Sequence, residues 1–478
     1  MKVLVLNPPN KYNEPIGRDL IYGCWCHGKR VADIQLPPLN LMYIASVLKS
    51  EDVRLIDALS KKWTIEGSLE KIDNNFDVLI IASSNTTFRD DVEFAEKLKE
   101  RNRKLKIVFC GPHTTVYPKR ALKEEIIDFG IQGESEETIK ELIGVLKKNG
   151  DLGKVKGISY KENGEIKVNE RRDVIKNLDE LPFPDWDMVD KEDYFNPLAK
   201  KWPMATILSS RGCIGRCTFC TSPSFYGRKY RFRSAENVLD ELEMLWKKGF
   251  KEVLFRDETF TVSKERTEKI CEGILERGIK LSWMCNIRIG SVDKELMKLM
   301  KKAGCHSLWV GVESGVQEIL DVAKKDIKIE DIEETFKWAN EIKIDTHAHF
   351  MFGMEGETIE TLDNTIKFIK KIKPTTIDIG ITTPFPGTEL FEKVKEKTDK
   401  IGDGTQWGID KVHSSAFFNE YFCYVKSEDL ERAIFRAYKE FYLRPSYVLN
   451  TLFKVRSLNE FLNVVRAGWN TVLFSFKK

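Results

Sequence analysis

From residue 1 to about residue 150, short apolar runs alternate with longer stretches whose apolar positions recur at helical spacing. The runs KVLVLN, DVRLIDA, DVLIIASS, KIVFCG and DFGIQG predict strands, with helices beginning near Pro38, Ile65, Asp90, Pro118 and Ser135. Strand and helix taking turns in this way predict an α/β fold with a doubly wound parallel sheet. Ligands meet such sheets at the carboxyl ends of the strands. The candidate binding positions are therefore Asn7, Ser83, Ser84, Gly111, His113, Gly133 and Glu134, all in turns that follow a predicted strand. His113 has a second reading, as a residue that only caps its turn.

Residues 151–203 break the alternation. GISYKENGEIKVN predicts a hairpin turning at Asn163 and Gly164. The closely spaced prolines around Leu181, Pro182, Phe183, Pro184, Asp185 and Trp186 forbid helix and strand alike, so this stretch reads as a linker. Across residues 204–395 the alternation resumes with six predicted strands, TILSSR, EVLFRD, KLSWMC, HSLWVGV, DTHAHFMFG and TIDIGITT. Each is followed by a helical stretch, which predicts a partial βα barrel. Six units leave a lateral opening where a full barrel would have eight. Residues 396–478 predict a helical region, and its end mixes apolar positions with Arg and Lys and carries Trp469, Phe474 and Phe476. That pattern fits a helix lying on a membrane surface or a lid packed over the barrel.

Composition narrows the function classes. Lys and Arg number 77 against 74 Asp and Glu, a formal charge of +3, which leaves no electrostatic footprint for nucleic acid. Ten cysteines without a cationic, apolar leader predict reduced thiols and a cytoplasmic chain. No run reaches the about 20 apolar residues that span a bilayer.

The sharpest local signal is RGCIGRCTFC, in which Cys213, Cys217 and Cys220 are spaced C-x3-C-x2-C. Iron–sulfur clusters are held by thiolates, usually four. A loop with three leaves one iron open, and an open metal position is where substrate chemistry happens. The alternatives are a structural zinc loop or a chance cluster of thiols, and no second cysteine pair follows at zinc-ribbon spacing.

With Phe219 before the last thiol, the motif resembles the radical S-adenosylmethionine superfamily. The resemblance implies a [4Fe–4S] cluster on Cys213, Cys217 and Cys220, with S-adenosylmethionine on the open iron as the source of a 5'-deoxyadenosyl radical. The turns of residues 1–150, together with QLPPLNLMYIASVL, are similar to the cobalamin-binding domain that precedes many such barrels. The chain lacks D-x-H-x-x-G, so the implied cobalamin would be held without a histidine from that motif. The proline-rich linker resembles the LPxPxW connection of the same branch.

The resemblance also assigns roles along the barrel. Asp257 and Glu258 match a D-[DE]-x-F element that takes the methionyl amine. Asn286 and Arg288 match CNxR, where an arginine suits a carboxylate partner. Glu313 and Ser314 match GxESG at the ribose and methionyl carboxylate, Gly353 and Glu357 match G-x-x-G-E against the adenine, and residues 383–388 form a PFPGT turn. His347 and His349 share one strand face, with a proton or metal role set against a polar core position. Cys24, Cys26 and His27 are a further possible ligand group, disfavoured because thiols one residue apart chelate poorly.

The implied function is activation of an unactivated C–H bond, first as cobalamin-dependent methyl transfer to an apolar or bulky small molecule or lipid. The alternative is radical C–C bond formation or cyclisation on a lipid or tetrapyrrole. Methylthiolation of transfer RNA ranks lower, because it predicts an N-terminal cysteine trio and a basic C-terminal barrel that the chain lacks. A non-catalytic cluster protein would not need the amine, ribose and adenine elements. Expected partners are the substrate and an external electron donor such as flavodoxin or ferredoxin, with no nucleic acid and peripheral membrane contact through the C-terminal helices.

Overall fold

The computed structural model describes residues 1–11, 34–406, 415–445 and 447–449, and the backbone of residues 16–18 and 26–29. The expectations for Cys24, for the side chains of Cys26 and His27, and for Trp469, Phe474 and Phe476 lie outside what is described.

Two parallel sheets organise the chain. The first is built from β1 (Lys2–Asn7), β2 (Asp52–Asp57), β3 (Val78–Ala82), β4 (Lys106–Cys110), β5 (Phe129–Ile131), β6 (Ile158–Glu162) and β7 (Glu165–Val168) in the order β2-β1-β3-β4-β5-β6-β7. The first five run parallel, with Val5 level with Leu55 on one side and Ile80 on the other. Side chains alternate between faces. Val3, Val5, Val78 and Ile80 pack with the helices Leu39–Val47 and Glu136–Lys147, while Leu4, Leu6, Leu79 and Ile81 pack with the helix Phe88–Arg101. Apolar residues on both faces make these strands continuous hydrophobic runs, as a doubly wound sheet requires. The strand order reverses at β1, so the switch-point crevice opens beside Asn7 and Ser83.

The hairpin of β6 and β7 turns at Asn163 and Gly164, both with positive φ (52° and 81°). It does not stand free in the connecting segment. β6 pairs antiparallel with β5 and extends the first sheet. After it, Trp186 packs edge-on against Phe250 at 4.9 Å, and the Asp185 amide donates to Ser46 Oγ at 3.0 Å, so the proline-rich stretch is docked on both halves of the molecule.

The second sheet holds β8 (Met204–Ile207), β11 (Glu252–Phe255), β12 (Ser282–Ile287), β13 (Cys305–Glu313), β14 (Asp345–Phe352) and β15 (Thr376–Ile381), all parallel and in sequence order. Between β8 and β11 lies a short ladder of β9 (Ser210–Arg211) with β10 (Arg231–Phe232). The predicted first strand TILSSR is therefore split, because the Ser209 amide donates to Asp257 Oδ1 at 2.7 Å in place of a neighbouring strand. Ala205, Val253, Phe255, Cys285 and Val310 face the surrounding helices. Met204, Leu254, Met284 and Trp309 face the lumen and are sealed below by Leu36, Ile34, Leu198 and Ala199.

The sheet ends at β15. The helix Ser427–Tyr442 lies along it, and the hydroxyls of Tyr442 and Tyr438 accept from the amides of Ile377 (2.9 Å) and Ile379 (3.1 Å). Those donors would otherwise be an open sheet edge. Among the described residues no helix is long and apolar enough to cross a membrane.

Candidate functional site

The cysteine loop leaves β9 through Gly212, which holds φ of +85° and where a Cβ would strike the Lys229 carbonyl. Cys213, Cys217 and Cys220 follow, all half-buried and none in a disulfide. A Cβ on Gly215 would stand 3.4 Å from Cys213 Sγ, 3.7 Å from Cys217 Sγ and 3.1 Å from Arg288 Nη1, so two thiols and a guanidinium gather around one bare backbone position. Backbone hydrogen bonds pin the loop from Thr218 N to the Ala323 carbonyl and from Leu390 N to the Thr218 carbonyl, each 3.0 Å. Among the described residues no three His, Cys, Asp or Glu side chains converge on a single ion. A cubane asks for something else, since each thiolate takes a different iron.

Positive charge surrounds the thiols. Burial pushes the Cys217 thiol up, while Lys325 and Arg288 pull it down. Lys325 is itself buried and donates to Glu313 Oε1 at 2.7 Å. Burial works against its charge, but Glu313 and Cys217 outweigh that and raise its pKa. Glu313 sits at φ of 65°, and a Cβ on Gly311 would come within 2.6 Å of its carboxylate and 2.8 Å of Lys325 Nζ. The left-handed turn and the glycine together let this pair close under the loop. Arg288 donates to the Lys325 carbonyl, holding that segment against the cysteines.

The acids along the rim are not equivalent. Asp257 is fully buried and accepts from Ser209 N (2.7 Å), Ser209 Oγ (2.6 Å) and Ser210 Oγ (2.5 Å), so it ties β11 to the end of β8. Asn286 donates to the Asp257 carbonyl at 2.7 Å and continues that frame. Glu258 accepts from Ser222 Oγ at 2.8 Å and leaves Oε2 without a partner. Burial pushes its pKa up to about 7. Ser314 Oγ is buried against Thr365 Oγ1 at 3.2 Å. Glu357 folds back on its own loop, accepting from the amides of Gly353 (2.5 Å) and Met354 (3.2 Å), and burial lifts its pKa to about 8. Asn419 crosses above and donates to the carbonyls of Gly353 (3.1 Å) and Thr382 (3.0 Å).

Below this rim Asn286, Gly311, His349, Met351, Asp378 and Gly380 alternate with the helix-facing residues and are half-exposed to the lumen. His347 stands one step deeper, 5.2 Å from the Trp309 ring and 4.6 Å from the His349 ring. Burial depresses its pKa to about 3, so the ring is neutral. The lumen thus has an apolar floor and one wall of imidazole and carboxylate.

The first sheet presents a different surface. Asn7 donates to Asp57 Oδ1 at 2.8 Å, Ser83 Oγ donates to Asp91 at 2.6 Å, and Ser84 Oγ meets Thr86 and Thr87. Gly111, at φ of +104°, packs so tightly on Ser83 that a Cβ would stand 2.6 Å from its carbonyl oxygen. His113 stacks on Phe88 at 3.8 Å, and its Nδ1 bonds Asn85 Oδ1 at 2.8 Å. Burial lowers its pKa to about 3. His113 Nε2, Asn85 Nδ2 and Gln132 Nε2 are buried without hydrogen-bond partners, on the turns after β4, β3 and β5. Buried polar atoms are nearly always paired, so these three stand out at the carboxyl edge, where such sheets take their ligands. The Gly133 amide is taken by Thr115 Oγ1 at 2.9 Å. Glu134 lines the cavity beside Cys110 and Gly111 and accepts from Arg211 at 2.9 Å and Arg231 at 2.8 Å.

Several of these residues had no signal in the sequence. Lys325 sits in a lysine-rich run that reads as a solvated face, Ser222, Arg231 and Asn419 belong to no motif, and Arg211 opens the cysteine segment without being one of its ligands.

Three thiols at the mouth of a parallel half-barrel, beside a doubly wound ligand-binding sheet, define an enzyme class that brings a metal cluster and a second large cofactor to one substrate. The pattern of the radical SAM superfamily matches residues 207–369, and that of the B12 binding domain matches residues 30–143. An uncharacterized methyltransferase of Pyrococcus horikoshii is 34% identical over 435 residues, covering 89% of this chain and 92% of the relative. The chain belongs to the radical SAM superfamily, in its cobalamin-binding branch, and its cofactors are a [4Fe–4S] cluster, S-adenosylmethionine and cobalamin. An anaerobic magnesium-protoporphyrin IX monomethyl ester cyclase of Rubrivivax gelatinosus is 28% identical, covering 84% of this chain and 71% of that protein. The fold is shared with the radical S-adenosylmethionine methyltransferase TsrM of Kitasatospora setae with cobalamin and cluster bound (TM-score 0.70, 17% identity, 98% of this chain and 99% of that one). It is shared equally with the cobalamin-dependent radical enzyme OxsB with aqua-cobalamin bound (TM-score 0.72, 19% identity, 99% and 72%).

Proposed function

We propose that this enzyme methylates an unactivated carbon of a bulky, partly apolar substrate held in the lumen of the half-barrel. The observation that carries this reading is the lumen itself, half-exposed at Gly311, His349, Met351, Asp378 and Gly380 directly beneath the Glu313 and Lys325 pair. Gly311 and His349 are level in the β13 and β14 register, so the polar wall stands on the strand beside the glycine over which that pair closes. Cys213, Cys217 and Cys220 are the residues that would hold the cluster. Glu258, through its unpartnered oxygen, would take the methionyl ammonium, with Asp257 as the frame that orients it. Asn85, His113 and Gln132 would meet the corrin amides.

When bound, the cluster with S-adenosylmethionine supplies a 5'-deoxyadenosyl radical and cobalamin supplies a methyl group. The chain's own share is to place the target carbon, exclude water and fix geometry. The apolar floor of Met204, Leu254, Met284 and Trp309 orients a nonpolar body, while His349 and Asp378 meet a hydrogen-bonding end. An external one-electron donor of the flavodoxin or ferredoxin type completes the system.

A second reading is radical ring closure on a tetrapyrrole or lipid, favoured by the 28% identity to a cyclase. One anaerobic experiment separates the two. The cluster is reconstituted, S-adenosylmethionine, reductant and hydroxocobalamin are added, and 5'-deoxyadenosine and S-adenosylhomocysteine are measured. Nucleoside with S-adenosylhomocysteine, released as the corrinoid is remethylated, supports methyl transfer. Nucleoside without S-adenosylhomocysteine removes it in favour of direct radical coupling.

A further inference from the structure

The cysteine loop is tied on its N-terminal flank to one turn of the first sheet, and on its C-terminal flank to an arginine packed beside that turn. On its N-terminal side Arg211, one residue before Gly212, donates to Glu134 Oε1 at 2.9 Å and to Glu136 Oε1 at 2.6 Å. Arg231, paired with Arg211 across the two-residue ladder, donates to Glu134 Oε2 at 2.8 Å and to the Ile175 carbonyl at 2.6 Å. On its C-terminal side the helix Ser222–Tyr226 gives its Ser224 and Phe225 carbonyls to Arg171 at 3.1 and 2.6 Å. A Cβ on Gly133 would stand 3.2 Å from that same Arg171 guanidinium. The four ionised side chains at the centre are 5%, 9%, 3% and 7% exposed (Arg211, Arg231, Glu134, Glu136).

A buried ion cluster of this kind is weak evidence for stability, because desolvation offsets most of the Coulomb attraction. Its geometry is informative. Both guanidiniums converge on the residue after Gly133, whose turn closes the crevice beside Gln132, and both lie on the strand pair that launches the thiols. The planar fork of Arg211 gives each of two carboxylates, two residues apart, a nitrogen of its own, where a lysine would offer both the same one. Transfer between two bound groups depends on spacing held to within about 1 Å.

We propose that Arg211, Arg231 and Glu134 are positioning residues that set the distance and orientation between the cluster loop and the corrin crevice. The proposal rests on the use of both cofactors in one reaction. The test is pulsed EPR on reconstituted holoenzyme, reading the dipolar coupling between the reduced cluster and cob(II)alamin in wild type, in Arg211→Lys, and in a combined variant Glu134→Leu, Glu136→Gln, Arg211→Met, Arg231→Met. The combined variant replaces the whole buried ion set instead of leaving one charge unpaired, and circular dichroism checks that it is folded before distances are read. Wild type is expected to give one narrow distance distribution. Both variants are expected to retain cluster and corrinoid while the distribution broadens or moves by about 1 Å or more. Variants that carry both centres with the wild-type distribution overturn the positioning role and leave the function standing. A wild type that takes up only one of the two centres overturns both.

Discussion

The carboxyl edges of the two sheets have the same architecture and opposite chemistry. Along the first, the buried atoms without partners are neutral: the imidazole nitrogen of His113 and the amide nitrogens of Asn85 and Gln132. Along the second, they include Oε2 of Glu258, a carboxyl group that gains charge as the pH rises through about 7. A surface of neutral donors and acceptors suits a corrin fringed with amides, and carboxylates suit a cosubstrate that carries an ammonium and a sulfonium. Parallel sheets dictate only where a ligand sits. The unpaired atoms left at that edge say which ligand.

The largest effect expected from breaking this contrast is at the thiols. Cys217→Ala should abolish the cluster's visible absorbance and EPR signal and all 5'-deoxyadenosine formation, because two thiolates no longer hold a cubane with one open iron. Corrinoid binding should persist, since His113, Asn85 and Gln132 lie on the other sheet. Loss of both cofactors together in a folded variant would show that the two edges are a single site.

Next in size is the pH dependence of stability. Glu357 has its pKa raised by burial from 4.5 to about 8, so the native state keeps a proton that the unfolded chain has released. Its contribution is fully present below pH 4.5 and is lost as the pH rises through about 8. Denaturant unfolding of the apo-protein should therefore show stability falling by on the order of a few kcal/mol across that window, and Glu357→Gln should flatten the slope. A slope unchanged in the variant would assign the effect to another group.

Glu258 sharpens the comparison at the cosubstrate. Burial raises its pKa to about 7, and the carboxylate form is the one that meets an ammonium. S-adenosylmethionine binding to the cluster-loaded enzyme should tighten as the pH rises through about 7. Glu258→Gln should remove that rise and weaken binding about 10- to 100-fold, the worth of a charge-assisted hydrogen bond. Calorimetry under anaerobic conditions reads both. Asp257→Asn is expected to act through folding, since its carboxylate accepts from Ser209 and Ser210 at the end of the neighbouring strand.

Which features were legible beforehand follows from their range along the chain. The alternation of Val3 and Val5 with Leu4 and Leu6 made both faces of the first sheet readable, and six strand–helix units made the half-barrel readable. The cysteine loop is a local motif, and local motifs survive in sequence. Arg211 and Arg231 reach Glu134 over 77 and 97 residues, and no local pattern encodes a pairing at that separation. The adjacent acids Asp257 and Glu258 look alike in sequence. Ser209, 48 residues away, decides which is anchored. The hairpin at Asn163 and Gly164 is a strong turn signal, but nothing in it says that its first strand adds to β5.

The smallest effect expected is at the corrin crevice, and it is the one that tests the contrast most directly. His113 donates through Nδ1 to Asn85 Oδ1, so Nε2 is an acceptor facing no donor while its ring stacks on Phe88 at 3.8 Å. His113→Phe keeps the ring volume and the stack, removes the orphaned acceptor, and leaves Asn85 Oδ1 without its donor. Loss of that buried bond lowers the thermal midpoint of the apo-protein in either case. If Nε2 serves only the fold, the corrinoid affinity of the folded variant is unchanged. If it completes its hydrogen bonding through the corrin, the corrinoid dissociation constant rises about tenfold, the worth of one neutral hydrogen bond. The second outcome is expected, because Gln132 and Asn85 leave donors unpaired on neighbouring turns of the same edge. Three such atoms stand on three consecutive turns of one sheet edge.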